Sequence, residues 1–283
     1  MKFIKVHSLG NDFLIVNLSQ IKKSSESAQL AQRICDRHTG VGADGLLLIS
    51  IQNRVKGIVN FRIFNADGTE AEISGNGLRC AAASLYYQNK IKTSPIKFTT
   101  TAGQRECKLI ERNNNLFLLK IEMGIPLLNS QEIPFDDGSF HQKVIDYPLS
   151  INQKIYPITA VSLGNPHCAI FVDRFPSRLE WHQLGREIES HPFFPKRTNI
   201  EFIRVLNRKE MNVLFWERGV GETLSSGSGA CAAVVASILK NLTERKVKVR
   251  TSMGTLTVEW EKEEIFQTGP SQVVFEGDYL NLE

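Results

Sequence analysis

The sequence predicts an α+β protein of two pseudo-symmetric domains, each a curled, mostly antiparallel sheet wrapped on one central helix. Three observations predict it. A glycine- and serine-rich turn, Ser226-Gly227-Ser228-Gly229, opens into the apolar run 230–239, and a twin, Ser74-Gly75-Asn76-Gly77, opens into 78–87; the twins align without a gap, 152 residues apart. The letters Ser8-Leu9-Gly10-Asn11 return 154 residues later as Ser162-Leu163-Gly164-Asn165. A third mark, Ala102-Gly103, is echoed by Met253-Gly254, 151 residues on. Matching marks in the same order are most simply explained by an internal duplication. Folding a sheet over a helix is one of the few layer arrangements that bury an apolar helix. We expect the first domain over 1–123, closed by 272–283, and the second over 124–271.

The elements follow in order. Lys2–Val6 and Phe13–Asn17 read as strands around the turn at 8–11. Ser27–Arg37 reads as a helix with Leu30, Ala31, Ile34 and Cys35 on one face. Gly45–Ile51 and Gly57–Asn65 are strand-like and lead to the first glycine-serine turn and its helix; strands at Ile96–Thr101, Glu106–Glu111 and Leu116–Met123 finish the first half. Gly124-Ile125-Pro126 is the expected crossover. The second half repeats the order. Ile155–Ser162 and Ala169–Asp173 read as strands, and Ser177-x-x-Glu180 is a capping box opening a helix with Leu184 and Ile188 inward. Asn199–Leu206 and Asn212–Arg218 lead to the second turn and helix, followed by strands Val247–Thr251 and Leu256–Glu261. The strand-like piece Gln272–Leu282 is expected to return and close the first domain.

Composition excludes several classes. A chain of 283 residues with 42% apolar content is ordinary for a globular protein. Its net charge of +4 is dispersed, and the densest basic group, 245–250, alternates like the solvated face of a strand rather than a nucleic-acid patch. No run approaches the ~18 apolar residues of a membrane helix. Five cysteines, odd in number and without a CxxC pair, point to reduced thiols in the cytoplasm. A homodimer is compatible with these features.

Two glycine motifs resemble dinucleotide fingerprints, and neither has the required context. Gly40–Gly45 runs from helix into strand, the reverse of a fingerprint; Gly227–Ala232 has the right flanks, but the strands after it read as hairpins rather than crossovers. Cys35-x-x-His38 and His167-Cys168 lack the further ligands of a zinc site. Cys80 and Cys231 fall inside their helices and read as small core residues. The paired turns remain. A helix start leaves backbone N–H groups unpaired and carries partial positive charge, which makes it a ready anion site. Two of them point to a ligand held between the halves. Asn65 and Glu217 correspond under the duplication, and Glu217-Arg218 suits a zwitterion, the guanidinium gripping a carboxylate and the carboxylate an ammonium. Asn11, Asn165 and Asn199 sit at loop positions, able to donate and accept.

The segments HSLGNDF at 7–13, RHTGVGADG at 37–45, FNADGTE at 64–70, SGNGLRC at 74–80, LGNPHC at 163–168, RTN at 197–199, ERGVGET at 217–223 and SGSGACAA at 226–233 together resemble the diaminopimelate epimerase family. The resemblance implies inversion of an amino-acid α-carbon without pyridoxal phosphate or metal, which supplies meso-diaminopimelate for lysine and peptidoglycan. It implies that Asn76 and Ser228, with the backbone of Gly75 and Gly227, hold the reacting carboxylate. Asn11, Asn65, Asn165, Asn199, Glu217 and Arg218 are implied to read the distal amino-acid end, with His167 near the reacting centre. The family's two catalytic cysteines fall at the first letter of each turn, where this chain has Ser74 and Ser226. A thiol at a helix start can be a thiolate near neutral pH, whereas an unassisted hydroxyl holds its proton far more tightly. Three readings follow: an epimerase with both cysteines replaced, a slow serine–serine relative or one acting on a more acidic α-proton, and a silent amino-acid binder. A racemase or dehydratase of another amino acid is the alternative enzyme. Gly45, where some relatives carry glutamine, leaves substrate preference open.

Overall fold

The computed structural model describes residues 1–21 and 26–280 and divides into two units, Met1–Glu122 with Thr268–Glu283, and Met123–Gln267. The first unit begins with β1 (Lys2–Ser8) and β2 (Asn11–Asn17), then α1 (Ser27–Cys35), β3 (Gly45–Asn53), β4 (Ile58–Asn65) and β5 (Glu70–Ala71). After α2 (Gly75–Tyr87) come β6 (Ile96–Thr100), β7 (Gly103–Asn113) and β8 (Leu116–Gly124). The second unit holds β9 (Val144–Ile151), β10 (Lys154–Ser162), β11 (Pro166–Phe171), α3 (Arg178–Glu189), β12 (Asn199–Asn207), β13 (Glu210–Glu217), β14 (Gly221–Thr223), α4 (Gly227–Leu239), β15 (Lys246–Thr251) and β16 (Gly254–Glu261). Finally β17 (Glu264–Asp278) runs back into the first unit.

Each unit repeats the other's plan. In the first, β1 pairs antiparallel with β2, β2 parallel with β3, β3 antiparallel with β4, and β4 parallel with β6 across α2. In the second, β10–β11 is antiparallel, β11–β12 parallel, β12–β13 antiparallel, and β13–β15 parallel across α4. The first unit's sheet closes on itself, because β17 pairs with both β1 and β8. The curled α+β class expected from the repeats is the observed one.

The central helices are where sequence and packing meet. In α2 every residue from Gly75 to Tyr86 is buried, and in α4 Gly227 and Gly229–Ser237 are. Burial on all sides calls for small or apolar side chains, which Ala81-Ala82-Ala83 and Ala232-Ala233 supply, while the polar Asn76, Arg79 and Ser84 of α2 are hydrogen-bonded inside. The other two helices are amphipathic and cover the outer faces. Leu30, Ala31, Ile34 and Cys35 of α1 pack with Leu14, Leu46, Leu48 and Phe64, while Trp181, Leu184 and Ile188 of α3 pack with Phe202 and Trp216. The capping box opens α3 as expected, with both reciprocal bonds between Ser177 and Glu180. On β15 the basic residues are exposed and Val247 and Val249 buried, so the basic alternation is a solvated face.

Three expectations need correction. The strands after the second glycine-serine turn, β15 and β16, do form a hairpin, but a crossover is present as well: β13, α4 and β15 are joined in parallel, as are β4, α2 and β6. Periodicity locates a strand but says nothing of its partner's direction. Second, β9 went unrecognised because Pro148 and polar residues interrupt its alternation, although it pairs with β10 along its length. Third, the closing strand begins at Glu264, eight residues before the expected Gln272; residues 281 and 282 of that expectation lie outside the described residues.

Candidate active site

The two glycine-serine turns have one local geometry. Ser74 caps α2 with extended φ and ψ of −142° and 121°, and its Oγ accepts the N–H of Gly77 at 3.1 Å. Ser226 caps α4 at −127° and 128°, and its Oγ accepts the N–H of Gly229 at 3.2 Å. In each case a serine oxygen satisfies the third amide of the helix, leaving those of Gly75 and Asn76, or Gly227 and Ser228, with no intrahelical acceptor. A hydroxyl and two helix-start amides are therefore presented together in each unit, suited to holding an anion beside a proton-bearing group.

Around Ser74 the first unit builds a polar chain. Asn76 donates from Nδ2 to Oδ1 of Asn11 at 3.2 Å, and Asn11 donates to Asp44 at 2.8 Å. Arg37 bridges Asp12 and Asp44 at 2.8 Å each, and Lys5 reaches Asp12 at 2.9 Å. Burial works to raise the Asp12 carboxyl, but hydrogen bonds and charges from Arg37 and Lys5 outweigh it and hold the group at about 2. Behind the turn lies Arg79, wholly buried one turn into α2, donating to Ser8 Oγ at 3.0 and 3.2 Å and to Asn76 Oδ1. That bond occupies the amide oxygen of Asn76 and so fixes which end of the side chain donates. Asn65 is exposed and bonds Thr69 across its own turn. Its structural role is local.

The second unit uses different side chains around the same backbone. His167 is buried on β11 between Glu201, 2.7 Å from its Nδ1, and Asn165, 2.9 Å from its Nε2. Asn199 donates to the carbonyl of Pro166 at 2.8 Å and accepts the backbone N–H of Arg218 at 3.0 Å. Arg218 is exposed and donates to the Lys196 carbonyl, while Glu217 is half-buried at the end of β13. The tip beyond them is pinned by Glu189 of α3, whose buried carboxylate accepts from Gly219 N–H and Trp216 Nε1 at 2.7 Å each and pairs with Arg197 at 2.5 Å.

The structure thus gathers Asn11 with Asn76 and the Ser74 turn, and Asn165 with His167. Asn199 it joins to Arg218. Sequence reasoning missed Arg79, Glu189 and Glu201. Arg79 and Glu201 had a signal, since Arg79 is the lone charge of an apolar helix and Glu201 the lone charge of the apolar stretch 200–203, a pattern that requires a buried partner. The cysteines inside the helices are core residues: Cys80 and Cys231 are fully buried, and burial pushes the Cys80 thiol up to about 12.

The twin turns differ in the room left at their third helical residue. A Cβ on Gly77 would meet Ser74 Cβ at 3.2 Å and Ile63 and Leu47 at 3.4 Å, contacts that small shifts relieve. On Gly229 it would meet Glu201 Oε1 and the Phe215 ring at 2.8 Å and Ser226 Cβ at 3.0 Å. Gly229→Ala is expected to cost about 1–3 kcal/mol by overpacking, and Gly77→Ala less than about 1 kcal/mol. Urea midpoints of the two variants read this directly, and equal losses would contradict the asymmetry.

Solved structures share this fold at low sequence identity. The Bacillus anthracis phenazine biosynthesis protein of the PhzF family superposes with a TM-score of 0.69 at 15% identity, covering 99% of both chains. A probable proline racemase from Agrobacterium radiobacter superposes at 0.70 and 12%, covering 99% of this chain and 92% of that one. The class is therefore a duplicated α+β fold shared with such proteins. Within it the match is far more specific: residues 3–128 and 159–274 fit the family described as diaminopimelate epimerase. The diaminopimelate epimerase of Pelotomaculum thermopropionicum is 43% identical over 281 residues and that of Moorella thermoacetica 40%, each alignment covering 99% of both chains. The chain belongs to the diaminopimelate epimerase family, a family of isomerases.

Proposed function

We propose that this protein epimerises LL-diaminopimelate to meso-diaminopimelate, with Ser74 and Ser226 in the two acid/base positions. The observation that carries this reading is the twinned cap, one hydroxyl and two open amides repeated with the same backbone geometry in each unit. Inversion at carbon needs one group to remove the α-proton and a second to return a proton to the opposite face. The α-proton is weakly acidic, so the carbanion must be stabilised. Amides of Gly75, Asn76, Gly227 and Ser228 on the α-carboxylate would supply fixed donors where negative charge develops. Asn11, Asn65, Asn165, Asn199, Glu217 and Arg218 would read the distal amino and carboxylate groups, and His167 would lie near the reacting centre.

Among the described residues of its own unit, neither serine hydroxyl is hydrogen-bonded to a histidine or a carboxylate; each accepts a helix amide. A hydroxyl without an adjacent base is a poor proton carrier, so turnover is expected to be slow. The five cysteines are buried and none is in a disulfide among the described residues, which suits work in the reducing cytoplasm.

Proton exchange at the substrate α-carbon tests the proposal. Incubated in deuterated water with LL-diaminopimelate, the protein is expected to incorporate deuterium and to release the meso isomer. Binding by calorimetry with no exchange over long incubation would instead identify an amino-acid binder, and exchange only in another amino acid would identify a different racemase.

A further inference from the structure

His167 and Glu201 form a buried pair to which the proposed reaction assigns no proton-transfer step. They lie on the neighbouring parallel strands β11 and β12, where Asn199 faces His167 and Glu201 faces Ala169. His167 is 0% and Glu201 1% exposed. Glu201 Oε1 stands 2.7 Å from His167 Nδ1, while its other oxygen, Oε2, is buried without a hydrogen-bond partner among the described residues. The third member, Asn165, places Oδ1 2.9 Å from His167 Nε2.

Counting protons constrains this chain. Asn165 Oδ1 can only accept, so His167 Nε2 carries a hydrogen. His167 Nδ1 then either accepts from a protonated Glu201 or donates, as imidazolium, to a charged one. The second arrangement leaves a buried carboxylate with one charged oxygen unsatisfied, which is far costlier than an unsatisfied carbonyl oxygen. The surroundings weigh the same way. Burial pushes the Glu201 carboxyl above its ordinary value; His167 on β11 opposes this, and the negative charge of Glu217 on β13 adds to it. The start of α4 packs against Oε1, for a Cβ on Gly229 would lie 2.8 Å from it.

We propose that Glu201 is a positioning residue kept as a neutral carboxylic acid, whose O–H donates to His167 Nδ1 and fixes His167 as the Nε2–H tautomer bonded to Asn165. One consequence follows for recognition. With one lone pair of its oxygen taken by His167 and both amide hydrogens available, Asn165 is better suited to a substrate carboxylate than to an ammonium group. That consequence rests on the proposed epimerase reading; the tautomer itself does not.

Nitrogen-15 NMR of histidine-labelled protein tests the wiring without turnover, with His167→Gln used to assign the signal. The expected pattern is an unprotonated Nδ1 and a protonated Nε2. Glu201→Gln, whose amide N–H can replace the acid's O–H, is expected to preserve that pattern and to keep kcat/KM within about threefold. Glu201→Leu removes the donor, so the tautomers should mix and kcat/KM should fall about tenfold or more. A protonated Nδ1 in the wild type, as imidazolium or as the other tautomer, overturns the proposal, and so does loss of the pattern in Glu201→Gln. If Glu201→Leu does not fold, the wild type and Glu201→Gln decide the question alone. Absence of epimerisation with the expected NMR pattern intact would count against the function and not against Glu201.

Discussion

Replacing Ser74 and Ser226 together by cysteine is expected to raise epimerisation of LL-diaminopimelate by about three orders of magnitude or more. The reason is proton affinity. A thiol at a helix start can titrate at roughly 3.5–7.5, within reach of neutral pH, whereas a hydroxyl in the same place stays protonated. Every unit by which the proton carrier is better matched is worth about 1.4 kcal/mol of driving force. The backbone around both positions already has cap geometry, with extended φ and ψ and an acceptor bond to the third amide, so the larger sulfur enters a formed site. The single replacements should behave differently. Inversion needs removal and return, so Ser74→Cys or Ser226→Cys alone should speed deuterium exchange more than epimerisation, and the two gains should not add. A chiral assay of product from the four proteins reads all of this. A double variant no faster than the starting chain would remove diaminopimelate as the substrate.

The second large effect concerns Arg79. Arg79→Ala is expected to destabilise the protein by about 2–4 kcal/mol, through a cavity and the loss of donors to Asn76 and Ser8. Arg79 is wholly buried and bonds Ser8 Oγ with two of its nitrogens and Asn76 with one of the same two. Ser8 in turn donates to the Pro270 carbonyl at 2.7 Å, so the guanidinium joins the first and last strands of its unit through the helix start. Arg79→Lys should recover only part of the loss, because a single ammonium cannot reproduce a planar fork. Substrate binding should weaken as well, since Asn76 would be free to turn its oxygen toward a bound carboxylate. Chemical denaturation measures the first effect and titration calorimetry with diaminopimelate the second. A change within about 0.5 kcal/mol would mean that Arg79 does not organise the turn.

Much of the architecture was legible because duplicated chains repeat their local signals. The serine caps, the capping box at Ser177 and the largely apolar central helices each depend on residues within a few positions of one another. Strand β9 escaped because its proline and polar residues mask an alternation that only its partner β10 makes visible. The parallel crossovers escaped for a related reason, since a strand looks alike whichever way its neighbour runs. At the site, Asn11 and Asn76 were both named, yet their contact spans 65 positions and depends on β1, β2 and α2 docking together. Asn65 and Glu217 were equated by the repeat, but one bonds within its own turn while the other ends a strand whose tip Glu189 holds.

By itself the sequence determined the duplication, the order of elements and the two helix starts with serine at each cap. These are backbone patterns written in neighbouring residues, and hydrogen bonds between near neighbours enforce them. Tertiary structure alone decided that Glu201 bonds His167 across 34 positions and that Arg79 reaches Ser8 across 71. Such pairs are fixed by sheet register and by the cost of burying an unmatched polar group, and both come into being only when distant strands and helices close around them.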